Sequence, residues 1–263
     1  MDKKIILSQG LTQESFQQKG DKNTSIGTAE TVNINNVTTS SDEESLTSAI
    51  DEMRTLRKKI RLYEELGIVN CTEELKGTQL EPMECMKEVH SSLYFMGVGG
   101  EKWVKEEYLR KEFENMLRQT KIMGGEVKFL LIDPSSKAYG QLYKLRGESV
   151  PYLSYERYAD LDARYDNLKV RLYNTMPSFR MQFVDETYLA ISRYYFDKPS
   201  HESVGGGWRT PHLIINSEQR EYGMNESRYK GSLYGSFLLA YNFIWGHSTK
   251  IHDWVIRGKR FNR

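Results

Sequence analysis

Cysteine is almost missing from this sequence, with Cys71 and Cys85 the only two. They are too few and too close for a disulfide framework, and neither stands in a Cys-x-x-Cys or Cys/His metal spacing. A reduced, cytosolic compartment is the expectation. Long apolar runs are missing too: none approaches the roughly 20 residues that span a bilayer. The opening MDKKIILSQGLTQESFQQ has only the short patch IIL where a signal peptide needs a longer apolar core. The reading is a soluble protein without a membrane partner. A dominant charge sign is also lacking, since Lys+Arg 37 against Asp+Glu 36 leaves a net of +1. No global field would hold the chain on nucleic acid, which leaves only a local basic patch as a route to such a partner. No H-x-H, H-x-x-x-H or H-E-x-x-H spacing occurs, so no metal is expected, and no cofactor motif is complete.

What is present is length for one sizeable domain, 263 residues, and many aromatics: Tyr 17, Phe 10 and Trp 4. Most lie after Tyr94, which places the packed core there. Residues 1–44 form a polar leader with few large apolar side chains. Within it QQKGDKNTSIGTAETVNINNVTT alternates Thr24, Ile26, Val32 and Ile34 with polar residues between glycines. The leader is therefore either a flexible tail or a set of short strands that order by pairing with a copy or a partner.

Residues 45–65 place Leu46, Ile50, Met53, Leu56, Ile60 and Tyr63 at spacings of three and four, an amphipathic helix that Gly67 ends. Its apolar stripe must cover either the main domain or a second copy of the helix, while the basic RTLRKKIR face reads as solvated. A helical run follows at Pro82, then a strand in SLYFMGVGG, a long helix from Glu101 to Gly124, and a buried strand EVKFLLID. Residues 137–167 read as helical with Pro151 as a break. Strands KVRLYNT, PSFRMQFVD and PHLIIN and an aromatic helix SLYGSFLLAYNFIWGHS close the domain, with a basic tail at 257–263. Strands alternating with helices predict an α/β fold, a mixed sheet covered by helices.

Gly97, Gly99 and Gly100 do not complete G-x-G-x-x-G, and no G-K-[ST] follows, so these glycines read as a tight turn at the carboxyl end of a strand. Asp133-Pro134 ends another strand, as a turn former or as a residue facing the same crevice. The loop SHESVGGGWRTP brings Arg209 near that region, either to close over an anion or as an exposed arginine of a long connection.

The order of MKEVHSSLYFMGVGGEKWV, GGEVKFLLIDPSS, NLKVRLYNTMPSFRMQFVDETYLAISRYY, TPHLII and FLLAYNFIW resembles the phospholipase D-like superfamily over residues 66–256. That family's motif is H-x-K-x-x-x-x-D, in which His and Lys share one strand face and hold a phosphate while the His attacks phosphorus. Aligning its Asp with Asp185 puts Ser178 at the His position and Arg180 at the Lys position, giving S-x-R-x-x-x-x-D. Ser178, Arg180 and Gln182 then share one face, with Phe179, Met181 and Phe183 on the other. Arginine still clamps phosphate, but serine cannot replace imidazole without a base. The histidines outside the motif that can complete a pocket are His212 and His247, although a lone histidine near aromatics is more often a structural residue. The leader, with its Gly-Asp-x-Asn and Val-Asn-Ile-Asn steps, resembles the amino-terminal segments of bacterial defence-type effector proteins.

These resemblances imply a non-catalytic member that senses, binds or scaffolds, in an antiviral defence or signalling assembly, with Arg180, Gln182 and Arg209 as ligand-binding residues for a phosphate-bearing group. The alternatives are an active nuclease or phospholipase with an altered nucleophile, drawn from Ser178, Arg180, Asp185, His212 and His247, or a purely structural subunit; the first reading is favoured because loss of the nucleophile removes the covalent step. Family members with one motif per chain pair two chains, so a homo-oligomer is implied, with a further protein partner in a multi-component complex. No cofactor is implied.

Overall fold

The amphipathic run becomes helix α1, Asp42–Glu65, in the computed structural model, which describes residues 42–146, 152–194, 210–217 and 232–254. Residues 1–41 of the leader, Arg209 and the basic tail lie outside the described residues. Gly67 ends α1 at φ +74°, and its N–H donates to the Glu64 carbonyl at 2.9 Å. A Cβ there would stand 2.6 Å from the Asn216 carbonyl oxygen, so both the dihedral and the space demand glycine.

Strand β1 (Ile68–Thr72) and helix α2 (Pro82–Glu88), with proline in its first turn, lead into strand β2 (Ser92–Gly97). Helices α3 (Glu101–Val104) and α4 (Glu107–Ile122) precede strand β3 (Glu126–Ile132). Helices α5 (Lys137–Arg146) and α6 (Tyr152–Arg164) precede strand β4 (Leu168–Tyr173). Strands β5 (Phe179–Val184), β6 (Tyr188–Arg193) and β7 (His212–Asn216) are followed by helix α7 (Leu233–Gly246) and the short strand β8 (Thr249–Lys250).

The eight strands form one mixed sheet in the order β1-β7-β6-β5-β2-β3-β4-β8. Strands β2, β3 and β4 pair in parallel, and every other pairing is antiparallel. The parallel half thus meets the antiparallel half at the β2–β5 seam. One face of the sheet carries Phe95 and Phe129, which pack with Trp103, Phe113 and Tyr158 from the helices, ring centroids 5.1 to 6.2 Å apart. The other face carries Tyr94, stacked on Tyr241 of α7 at 5.8 Å, and Phe183 against Tyr234 and Tyr241. Truncating any one of the fully buried phenylalanines to alanine costs about 3–5 kcal/mol. The result is an α/β protein whose mixed sheet is flanked by helices.

Three details differ from the sequence expectation. The helix expected to run unbroken from Glu101 splits, because Glu106 is extended at φ −85°, ψ 146°. Arg157 takes over the freed end of α3 by donating to the Val104 carbonyl at 2.5 Å and to that of Lys105. The stretch after Gly67, in which the sequence alone marks no strand, is strand β1, whose partner β7 supplies the hydrogen bonds an isolated segment lacks. Strand β5 was expected to have one buried face, yet every residue from Arg180 to Val184 is buried. It lies between two strands and under helices on both sides. Asp133 is a turn former: its Oδ1 accepts from the Ser135 N–H at 2.8 Å and the Ser135 hydroxyl at 2.6 Å. Among the described residues no helix is long and apolar enough to cross a membrane.

Candidate functional site

Register places four polar residues side by side across the antiparallel half: Thr72 opposite His212, His212 opposite Ser192, and Ser192 opposite Arg180. All four are buried, from 0% exposed at His212 to 6% at Arg180. The arginine reaches back along this row, and its Nη1 donates to His212 Nε2 at 2.9 Å. Because a guanidinium can only donate, Nε2 must accept, which fixes His212 as neutral imidazole with its proton on Nδ1. Arg180 Nη2 donates to Gln182 Oε1 at 3.2 Å, and Gln182 Nε2 donates to the Leu80 carbonyl at 2.9 Å. The guanidinium also lies 5.5 Å from the centroid of the Phe95 ring.

Cys85 of α2 closes the cluster, hydrogen-bonded to Gln182, and burial pushes its thiol up to about 12. Burial likewise pulls the Arg180 guanidinium below its ordinary value, opposed only by Tyr194 and Cys85. No carboxylate among the described residues pairs with Arg180, and of its five N–H donors the two contacts above take one each. Among the described residues the desolvated guanidinium is thus held by neutral acceptors, which leave its charge uncompensated, and such a charge is stabilised by an anion.

The position suits a ligand. Met181 pairs with Met96, the residue before the last of β2, so Arg180 sits beside the carboxyl end of the parallel strands, where α/β sheets bind ligands. The adjoining glycine turn is packed against tyrosines. The Tyr173 hydroxyl donates to the Gly97 carbonyl at 3.2 Å, the Val98 N–H donates to Tyr194 Oη at 3.2 Å, and the Tyr155 and Tyr158 hydroxyls meet the Val98 and Gly100 carbonyls at 3.0 and 2.8 Å. Tyrosine hydroxyls thus take the Gly97, Val98 and Gly100 carbonyls, and Tyr194 takes the Val98 N–H, the one donor among these groups that a phosphate would use.

The remaining residues of the S-x-R-x-x-x-x-D pattern lie elsewhere. Ser178 precedes β5 and is exposed, its carbonyl accepting from the Tyr194 N–H at 3.2 Å. Asp185 is five residues from Arg180, about 16 Å along the chain, at the opposite end of β5 beside the start of β2. Its Oδ1 accepts from the N–H groups of Ser91 (2.7 Å), Ser92 (3.0 Å) and His90 (3.1 Å). Burial raises this carboxyl, but those amides and the Ser91 hydroxyl outweigh burial and hold it below its ordinary value. Asp185 therefore clasps the start of β2 and does not face the arginine. His247 is exposed at the end of α7, with Nδ1 2.7 Å from the Phe243 carbonyl. Thus Arg180, Gln182 and His212 come together, while Ser178, Asp185 and His247 do not join them.

Sequence reasoning missed Cys85, Ser192, Thr72 and the tyrosine roof. The row needed the β5-β6-β7-β1 register, which no local pattern supplies. The signal available for the roof was the abundance of tyrosine itself.

Fold and site together define a helix-flanked mixed α/β sheet with a buried guanidinium, unpaired with any carboxylate among the described residues, at the ends of its parallel strands. No family model and no curated protein matches the sequence. Among solved structures, similar ones include TrmBL2, described as an archaeal chromatin protein with a novel mode of DNA binding, at 14% identity and a TM-score of 0.37, covering 80% of this chain and 68% of that one. Phosphatidylserine synthase of Haemophilus influenzae Rd KW20 is similar at 13% identity and a TM-score of 0.39, covering 75% of this chain and 46% of the synthase. The chain thus spans less than half the length of that synthase.

Proposed function

We propose that the protein is a non-catalytic, phospholipase D-like subunit that binds a phosphate-bearing ligand through Arg180, and that it senses or scaffolds within a homo-oligomeric defence or signalling assembly. The uncompensated Arg180 guanidinium carries this reading. A phosphate oxygen placed on its uncommitted N–H donors forms charge-assisted hydrogen bonds and neutralises the buried charge. Catalysis is disfavoured because His212 has its Nε2 lone pair engaged by Arg180, and Ser178 is exposed outside that cluster. The test is thermal denaturation with inorganic phosphate and dimethyl phosphate against sodium chloride at equal ionic strength. Saturable stabilisation by the phosphates, lost in Arg180→Gln, is the expected result; equal effects of phosphate and chloride would remove the reading.

A second reading, an active phosphodiesterase, is favoured by the same 2.9 Å contact, since it puts an imidazole beside a phosphate-clamping cation. In it a phosphodiester draws Arg180 away and frees Nε2 to attack phosphorus, forming an N–P bond as the P–O bond to the leaving alkoxide breaks; water then cleaves the N–P bond and restores the imidazole. Hydrolysis of bis(p-nitrophenyl) phosphate that disappears in His212→Asn would establish this alternative and displace the first.

A further inference from the structure

We propose that α1 is one strand of a parallel, two-stranded coiled coil formed with a second copy of this chain. The inference is independent of the Arg180 site. Counting in sevens along α1, positions a fall on Leu46, Met53 and Ile60 and positions d on Ala49, Leu56 and Tyr63. Every a and d position over three successive heptads is thus apolar, the period that holds one seam against a partner helix.

Among the described residues that seam is not covered by the rest of the chain. From Ser48 to Glu65 no residue of α1 is buried, and Leu56 and Tyr63 are 58% and 36% exposed. The main neighbour of α1 is β1, which follows it directly through Leu66 and Gly67. A helix about 36 Å long is thereby anchored through β1, with Leu56 and Tyr63 of its apolar stripe exposed and Ala49, Met53 and Ile60 half-buried.

Charge selects the occupant. In a parallel pair each g residue faces the e residue of the partner's next heptad. Here Glu52 at g faces Arg57 at e, and Lys59 at g faces Glu64 at e; both pairings are attractive and each occurs twice by symmetry. None of these four residues makes an ion pair among the described residues, whereas the outward-facing Arg54 and Arg61 are paired within the helix to Asp51 at 3.1 Å and Glu65 at 3.3 Å. The charges left over are the ones a second copy would satisfy. Ile50, at the first e position, extends the apolar contact, and Ile60 at a with Leu56 at d is the combination that favours two strands.

Sedimentation equilibrium of the full chain at micromolar concentration tests this. The expected mass is that of two chains. Leu56→Lys raises the dissociation constant at least about a hundredfold while leaving the far-ultraviolet signal of the folded domain in place. Glu52→Lys weakens the dimer by setting two cations together, and adding Arg57→Glu restores it. Under mild oxidation Ala49→Cys cross-links to its own copy, above the background of Cys71 and Cys85 in the unaltered chain, because only a parallel pair brings the two positions 49 together. A single-chain mass, a dimer indifferent to Leu56→Lys, or a dimer that does not cross-link through Ala49→Cys would each overturn the proposal.

Discussion

Arg180 and His212 stand on strands separated by β6, yet Nη1 and Nε2 are 2.9 Å apart, with Ser192 between them in the register row. The contact joins a buried cation to a neutral acceptor, so its two ends contribute unequally. Removing the acceptor strands a charge, whereas removing the charge relieves a desolvation penalty. We expect His212→Ala to lower the unfolding free energy by about 3 kcal/mol and Arg180→Met to change it by less than about 1 kcal/mol without added phosphate. Urea denaturation of the two variants decides; the reverse order would show that the hydrogen bonds of the guanidinium outweigh its burial.

Asp185 links stability to pH. Its native carboxyl lies below the ordinary value of 3.8, so the stabilisation it brings is present above that value and is lost as pH falls toward the native one. The side chain is partly exposed, so after allowing for screening Asp185→Asn should cost about 1 kcal/mol at pH 7. The difference between the two proteins should then shrink progressively below pH 3.8. A gap that stays constant down to pH 2, measured by urea unfolding at each pH, would assign the effect to something other than ionisation.

The thiols should differ sharply. Cys85 is fully buried with its thiol pushed up to about 12, while Cys71 is half-buried. Native protein treated with a chromogenic disulfide reagent should modify Cys71 first, and Cys85 only at the rate of opening or unfolding. Equal rates at both thiols, read by peptide mass mapping, would contradict the packing of α2 on β5.

Two adjacent glycines should respond in opposite ways to a methyl group. A Cβ on Gly125 would meet the Ser91 carbonyl oxygen at 1.8 Å, a backbone atom that also accepts the Glu126 N–H, and the strand must move to admit it. Gly124 has open space around it and only its φ of +73° to contend with. We expect Gly125→Ala to destabilise by about 3 kcal/mol or more and Gly124→Ala by about 1 kcal/mol. Comparable thermal midpoints for the two would place the β2–β3 junction differently.

The legible parts of the sequence were those set by local chemistry. The helical stripe before Gly67, Pro82 at a helix start, the apolar run of β3 and the aromatic α7 each follow from periodicity or backbone restriction within a few residues. The split at Glu106 was not legible, because the group that ends α3 is Arg157, far along the chain. Nor was β1, which is a strand only because β7 pairs with it. At the site, period two put Arg180 and Gln182 on one face, but the same alternation could not tell that Asp185 would turn away to Ser91 and Ser92. The positive φ of +51° at Asp185 belongs to the β5–β6 turn and aims the carboxylate at β2. His212 joined Arg180 through a register that spans three strands.

Gly67 bears on more than where a helix stops. Its N–H is bonded to the last turn of α1 and its carbonyl to Asn216 of β7, so one residue is fastened to the rod on one side and to the sheet on the other. A coupling this short has no slack. Torque applied to α1 is delivered to the edge of the sheet, to β1 and to β7, and β7 is the strand whose first residue is His212.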